Sequence, residues 1–142
     1  MIYFDANYLV RLYFKEPGYE AVRHLASQYS VACSLYGRAE VTAAFHRKLR
    51  EGVIPPQFYT SSLKQFTDEC HRDAFRWFPL SLAILQRLDQ TYATLPADLF
   101  LRAGDAIHLA SAAEHALNEI YSNDQRLLAA APHFGLKGVN II

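Results

Sequence analysis

The chain opens on three apolar residues, Ile2-Tyr3-Phe4, that stop abruptly at Asp5. Three residues are too few for a helix and all three favour strands. Asp5-Ala6-Asn7 has turn and cap chemistry leading into the amphipathic stretch Tyr8 to Phe14. The spacing predicts a buried strand followed by a helix. In an open α/β sheet, ligands bind outside the carboxyl ends of the strands, so an acid delivered there by the first strand is the first candidate for chemistry.

The same unit recurs along the chain. After the punctuating Glu16-Pro17-Gly18, helical spacing resumes over Tyr19 to Tyr29, and Ser30 to Ser34 reads as a second buried strand with Ser34 as a cap. A helix from about Tyr36 to Glu51 stops at Gly52, and the second proline of Val53-Ile54-Pro55-Pro56 suits the first turn of another helix reaching Cys70. These two helices form a hairpin at about residues 36–72. Phe75 to Leu80 reads as a strand that Pro79 confines to an edge or a strand end. Ser81 caps a helix over Leu82 to Tyr92, Gly104-Asp105 opens a helix over Ala106 to Leu117, and Glu119 to Ser122 forms a strand. Asn123-Asp124 starts the helix Gln125 to Ala131, and Val139 to Ile142 closes the sheet. Strands alternating with helices imply right-handed crossovers and a sheet covered on both faces. The fold class is therefore α/β, a three-layer α/β/α sandwich with a central, mostly parallel sheet, expected as a single domain over residues 1–142.

Several classes are disfavoured by composition. Lys and Arg together number 14 and Asp and Glu 14, so no global charge draws the chain to nucleic acid, and any such contact must be local. No apolar run approaches the ~20 residues of a membrane span, and the start lacks the pattern of a signal peptide, so no membrane and a cytoplasmic location are expected. Cys33 and Cys70 lack metal-type spacing and read as buried reduced thiols.

Four acids share a setting. Asp5 follows the first strand, Glu40 lies near the start of the helix after the second, Asp105 begins the helix before the fourth, and Asp124 follows the fourth. All fall near one rim if those strands are neighbours, each close to a helix N-terminus that offsets negative charge. Taken singly, the aspartates are equally good helix caps and Glu40 an equally good solvated residue. Taken together, crowded carboxylates share protons or hold a cation, and hard oxygen donors select Mg²⁺ or Mn²⁺, whose water is a potential nucleophile for phosphodiester hydrolysis. His108 shares a helical stripe with Asp105 and reads mainly as a solvent-facing or supporting residue. His24, His46, His71 and His133 carry no ligand spacing. Arg11, Arg38, Arg47 and Arg50 lie on the helices after the first two strands, and Arg47 is the first to expect near a phosphate.

The segments IYFDANYLVRLY, RAEVTAAFHRK, LRAGDAIHLASAAEH and IYSNDQRLLAAAPHFGLKGVNI carry these acids in order. From the first strand to the last they resemble a PIN-domain ribonuclease, and more narrowly the VapC-type toxin of a toxin–antitoxin pair. That resemblance implies a magnesium site of Asp5, Glu40, Asp105 and Asp124 and metal-dependent endonucleolytic cleavage of an RNA substrate. Asn7 stands where the family often has Ser or Thr, and Ser122 where it often has Thr; either could order a metal-bound water or an aspartate. A homodimer and a small cognate antitoxin lying across the groove are implied as well. Phe58, Tyr59, Leu63 and Phe66 of the hairpin are candidates for that surface, against a plain reading as core. A phosphate-transferring hydrolase would want an acid at Asn7, and a receiver domain an acidic pair and a late lysine. A non-catalytic PIN-like RNA- or protein-binding module stays open as the alternative.

Overall fold

Ile2–Phe4 is apolar at three consecutive positions because strands flank it on both sides and helices cover both faces. In the computed structural model, which describes residues 1–142, the strands are β1 (Ile2–Phe4), β2 (Val31–Ser34), β3 (Arg76–Phe78), β4 (Glu119–Tyr121) and β5 (Lys137–Val139). They form one parallel sheet in the order β3-β2-β1-β4-β5. Tyr3 lies opposite Ala32 on one side and Ile120 on the other. β2 is likewise buried throughout, whereas Arg76 of the edge strand β3 is exposed.

Helices α1 (Ala6–Val10), α2 (Tyr19–Gln28), α3 (Leu35–Arg50), α4 (Pro56–His71), α5 (Leu82–Thr94), α6 (Ala103–Glu114) and α7 (Gln125–Ala130) complete the α/β/α sandwich. Their starts follow the expected chemistry. Ser34 accepts from the Gly37 N–H, Ser81 from the Ile84 N–H, and Pro56 occupies the first turn of α4. No helix is long and apolar enough to cross a membrane.

Four elements differ most from the sequence reading. The apolar spacing to Phe14 outlasts α1, which ends at Val10 because the next amides bond three residues back to Tyr8, Leu9 and Val10 in tight turns. α6 starts three residues before Ala106 and ends at Glu114, with Ala116 left-handed at φ 56° just beyond. β3 stops at Phe78, immediately before Pro79. β5 lies earlier than Val139 to Ile142 because the chain then turns to the Tyr8 hydroxyl, which accepts from the Ile141 N–H and donates to Asn140 Oδ1.

Phe45 of α3 anchors an aromatic cluster with Phe14 (4.8 Å between centroids), Tyr13 (5.3 Å) and Phe66 (5.7 Å). Of the hairpin aromatics, Phe66 is therefore core, Tyr59 and Leu63 pack against the core, and Phe58 stays 44% exposed. Cys33 and Cys70 are buried free thiols. Phe45→Ala should lower the unfolding free energy by about 3–5 kcal/mol, against about 1 kcal/mol for Phe58→Ala. Urea denaturation of the two variants checks this, and equal losses would contradict the placement of Phe45 at the centre of the cluster.

Candidate active site

A parallel sheet fixes where its acids fall. A helix that follows a strand starts at the strand's carboxyl end, and a helix that leads into the next strand must begin at that same rim. α1, α3 and α7 follow β1, β2 and β4, and α6 leads into β4. Asp5, Glu40, Asp105 and Asp124 consequently all line one cleft of ≈ 610 Å³, together with Asn7. Asn7 is exposed at its edge.

Asp5 is 3% exposed and caps α1, its Oδ1 accepting from the Tyr8 N–H at 2.8 Å while Oδ2 accepts from the Ser122 hydroxyl. Burial pushes its carboxyl up to about 6, against the pull of the Ser122 and Tyr8 hydrogen bonds. Ser122 Oγ also accepts from the Asp124 N–H at 2.9 Å, so one serine ties together two of the acids. Asp124 caps α7, its Oδ1 accepting from Arg126 and Leu127.

Asp105 is not a cap. It is the third residue of α6, whose N-cap is Arg102 with no side-chain cap bond. Arg102 reaches over the first turn instead, donating from Nε to Asp105 Oδ2 at 2.9 Å and from Nη2 to Asp124 Oδ2 at 3.0 Å. Nothing singled this arginine out beforehand, although its i, i+3 spacing from Asp105 was the signal.

Glu40 is partly exposed but not simply solvated, since its Oε2 meets His108 Nε2 at 2.7 Å. His108 itself is buried rather than solvent-facing, with Nδ1 2.9 Å from the Tyr3 hydroxyl, and that oxygen accepts from the Ser34 N–H at 2.9 Å. Both ring nitrogens of His108 and the Tyr3 hydroxyl therefore have partners. Burial opposes charge on the imidazole, yet Tyr3, Cys33 and Glu40 outweigh it and hold the His108 pKa well above its ordinary value. Gly37 allows the approach: a Cβ there would sit 2.4 Å from Cys33 Sγ and 2.7 Å from His108 Cε1. One turn later on α3 comes Glu40.

Basic groups line the same cleft. His46, Arg47 and Arg50 of α3 line the cleft, so His46 is nearer the site than its spacing suggested. Arg11 and Arg38 are engaged elsewhere, Arg11 with the Pro17 and Asn7 carbonyls and Arg38 over Trp77. His115, at the C-terminal end of α6, stacks on Phe78.

The donor set suits a hard divalent cation: four carboxylates with a serine between two of them. No three acids or histidines are gathered in metal-holding geometry, because each carboxylate is engaged within the chain. A cation nevertheless already bridges Asp105 and Asp124, in the form of the Arg102 guanidinium. The residues therefore fit the ion in chemical kind, with Asp105 and Asp124 already sharing one cation.

Because folding raises the Asp5 pKa, the native chain holds that proton more tightly than the unfolded one. The associated stability is complete below about pH 4 and lost as pH rises through about 6. Asp5→Asn removes the titration. In EDTA, urea unfolding should show wild type losing roughly 2–3 kcal/mol relative to Asp5→Asn between about pH 4 and pH 7; a gap independent of pH would refute a carboxyl raised by burial.

The PIN domain family profile matches residues 2–132. Comparison with curated protein sequences returns no match. Among solved structures the fold is similar to FitAcB from Neisseria gonorrhoeae, with TM-score 0.77, 17% identity and coverage of 99% of this chain and 97% of that one. It is similar to a toxin–antitoxin complex from Klebsiella pneumoniae, with TM-score 0.65, 19% identity and coverage of 98% and 96%. VapC20 of Mycobacterium tuberculosis, described as a sarcin–ricin loop cleaving toxin, aligns with TM-score 0.66, 14% identity and coverage of 92% and 95%. With the profile spanning all but the ends of the sequence, and a parallel five-stranded sheet carrying four acids to one rim, this chain belongs to the PIN domain family.

Proposed function

We propose that this PIN-domain protein is a nuclease, a Mg²⁺-dependent endoribonuclease with Mn²⁺ able to substitute, and that it acts as the toxin of a toxin–antitoxin pair. The observation that carries this reading is the convergence of Asp5, Glu40, Asp105 and Asp124 on one cleft that His46, Arg47 and Arg50 also line. The acids would hold the ion. Bound there, it would supply an activated water and offset the charge of the reacting phosphate.

The chain's own groups do the rest. Ser122 orients Asp5 and fixes the turn that presents Asp124. His108 fixes the Glu40 carboxylate, and Tyr3 fixes His108. Asn7 stands at the cleft edge, where its amide can hydrogen-bond water or a phosphate oxygen. Arg47 and Arg50 attract the RNA backbone on the side where the acids would repel it.

The solved toxin–antitoxin complex of the same fold supports a small cognate antitoxin as partner. A homodimer and a cytoplasmic setting complete the reading, and buried, unpaired Cys33 and Cys70 suit a reducing compartment. A second reading, a PIN-like module that binds RNA or protein without cutting it, draws on the internal engagement of every carboxylate and the absence of a preformed metal cluster.

RNA cleavage separates the two. Purified protein with Mg²⁺ should cut RNA, EDTA should stop it, and Asp5→Asn should cost ~100-fold or more, beyond the usual loss for residues that only support metal ligands. RNA bound but left intact with Mg²⁺ or Mn²⁺ would favour the binding module. Cutting that survives EDTA and Asp5→Asn alike would come from a contaminant.

A further inference from the structure

Arg102 is the one cleft residue whose present contacts and chemical aptitude point in different directions. Its guanidinium lies between Asp105 and Asp124, acids brought together by the N-termini of α6 and α7. Two carboxylates at that separation repel, and a cation between them relieves the repulsion. One guanidinium carries a single positive charge against two negative ones, whereas a divalent ion balances both. The arginine side chain is 54% exposed and makes no cap bond to its helix, so it can swing out without disturbing α6.

We infer that Arg102 is a phosphate-binding arm parked in the cation position, which a divalent ion displaces and thereby frees for the RNA backbone. The inference rests on the metal-dependent reading above. Once displaced, the guanidinium stays tethered at the N-cap of α6, three residues before Asp105 and at the mouth of the cleft. Its planar fork of donors matches phosphate oxygens in pairs, which neither His46 nor a lysine can do. Arg47 and Arg50 come from α3, so the freed Arg102 would add a contact to the backbone from a second helix. The exchange makes RNA binding and metal loading interdependent: without the ion the guanidinium pairs with the two acids, and with it the site gains a cationic contact.

Isothermal titration with Mn²⁺ and anisotropy with a fluorescent 2′-O-methyl oligoribonucleotide, confirmed intact on a gel after each measurement, test the exchange. Wild type, Arg102→Ala and Arg102→Lys are compared, the oligonucleotide being measured at saturating Mn²⁺ and in EDTA. Without the competing guanidinium, Arg102→Ala should bind Mn²⁺ about 3- to 10-fold more tightly than wild type. With Mn²⁺ saturating, the same variant should bind the oligonucleotide roughly tenfold more weakly, with little change in EDTA, and Arg102→Lys should fall between. Mn²⁺ binding that is unchanged or weaker in Arg102→Ala overturns the displacement. Tighter Mn²⁺ binding with undiminished oligonucleotide affinity overturns the phosphate-binding arm. A wild type that binds Mn²⁺ and cuts RNA while Arg102→Ala matches it in both assays sinks this inference alone. Absence of Mn²⁺ binding in wild type and variant alike sinks the metal reading with it.

Discussion

The structure depends on bringing like charges together at the carboxyl rim of a parallel sheet and making that crowding tolerable. Each acid is relieved by a different device. Asp5 and Asp124 split their oxygens, one accepting backbone N–H groups at a helix start and the other turned to Ser122 or Arg102. Capping and chemistry are therefore not rival explanations of these residues, because the capping bonds use one oxygen and the other meets only Ser122 or the exposed Arg102. Asp105 relies on the first-turn dipole and Arg102, and Glu40 on His108.

Much of this was legible in the sequence because it is local. Consecutive apolar residues bounded by caps gave the interior strands, and the alternation of strand and helix dictated a parallel sheet. Placing the acids on one rim then needed only β1, β2 and β4 to be adjacent. What stayed hidden was non-local. Arg102 falls before the point where apolar spacing announces α6, so its role depends on a helix start three residues early and on Asp124 arriving from 22 residues away. Likewise β5 ends where the Tyr8 hydroxyl captures the chain, a contact across 133 residues that no window can contain.

His108 shows why a polar residue on a mainly apolar helix is easily misjudged. Five of the six buried residues of α6 are small or nonionisable, and helical spacing cannot say that a histidine among them has partners for both ring nitrogens. Those partners come from β1 and α3, and α3 comes close enough only because Gly37 lacks a side chain. The central strand thus contributes twice to the site: Asp5 directly from its end, and Tyr3 at one remove through His108 to Glu40. Removing any member leaves a buried polar group without its partner, which costs more than the bond itself is worth.

The balanced charge of the chain, 14 basic against 14 acidic residues, hides a division within one cleft. A uniformly acidic cleft would collect cations and repel RNA; a uniformly basic one would bind RNA but have no oxygen donors for an ion. Here α3 alone spans the boundary, with Glu40 near its start and His46, Arg47 and Arg50 toward its end. The last-turn arginines Arg47 and Arg50 sit where the helix dipole favours positive charge, whereas Glu40, beyond the first turn, is held by His108 instead. One helix thus carries both ends of the gradient, and net charge close to zero is no obstacle to a local nucleic-acid contact.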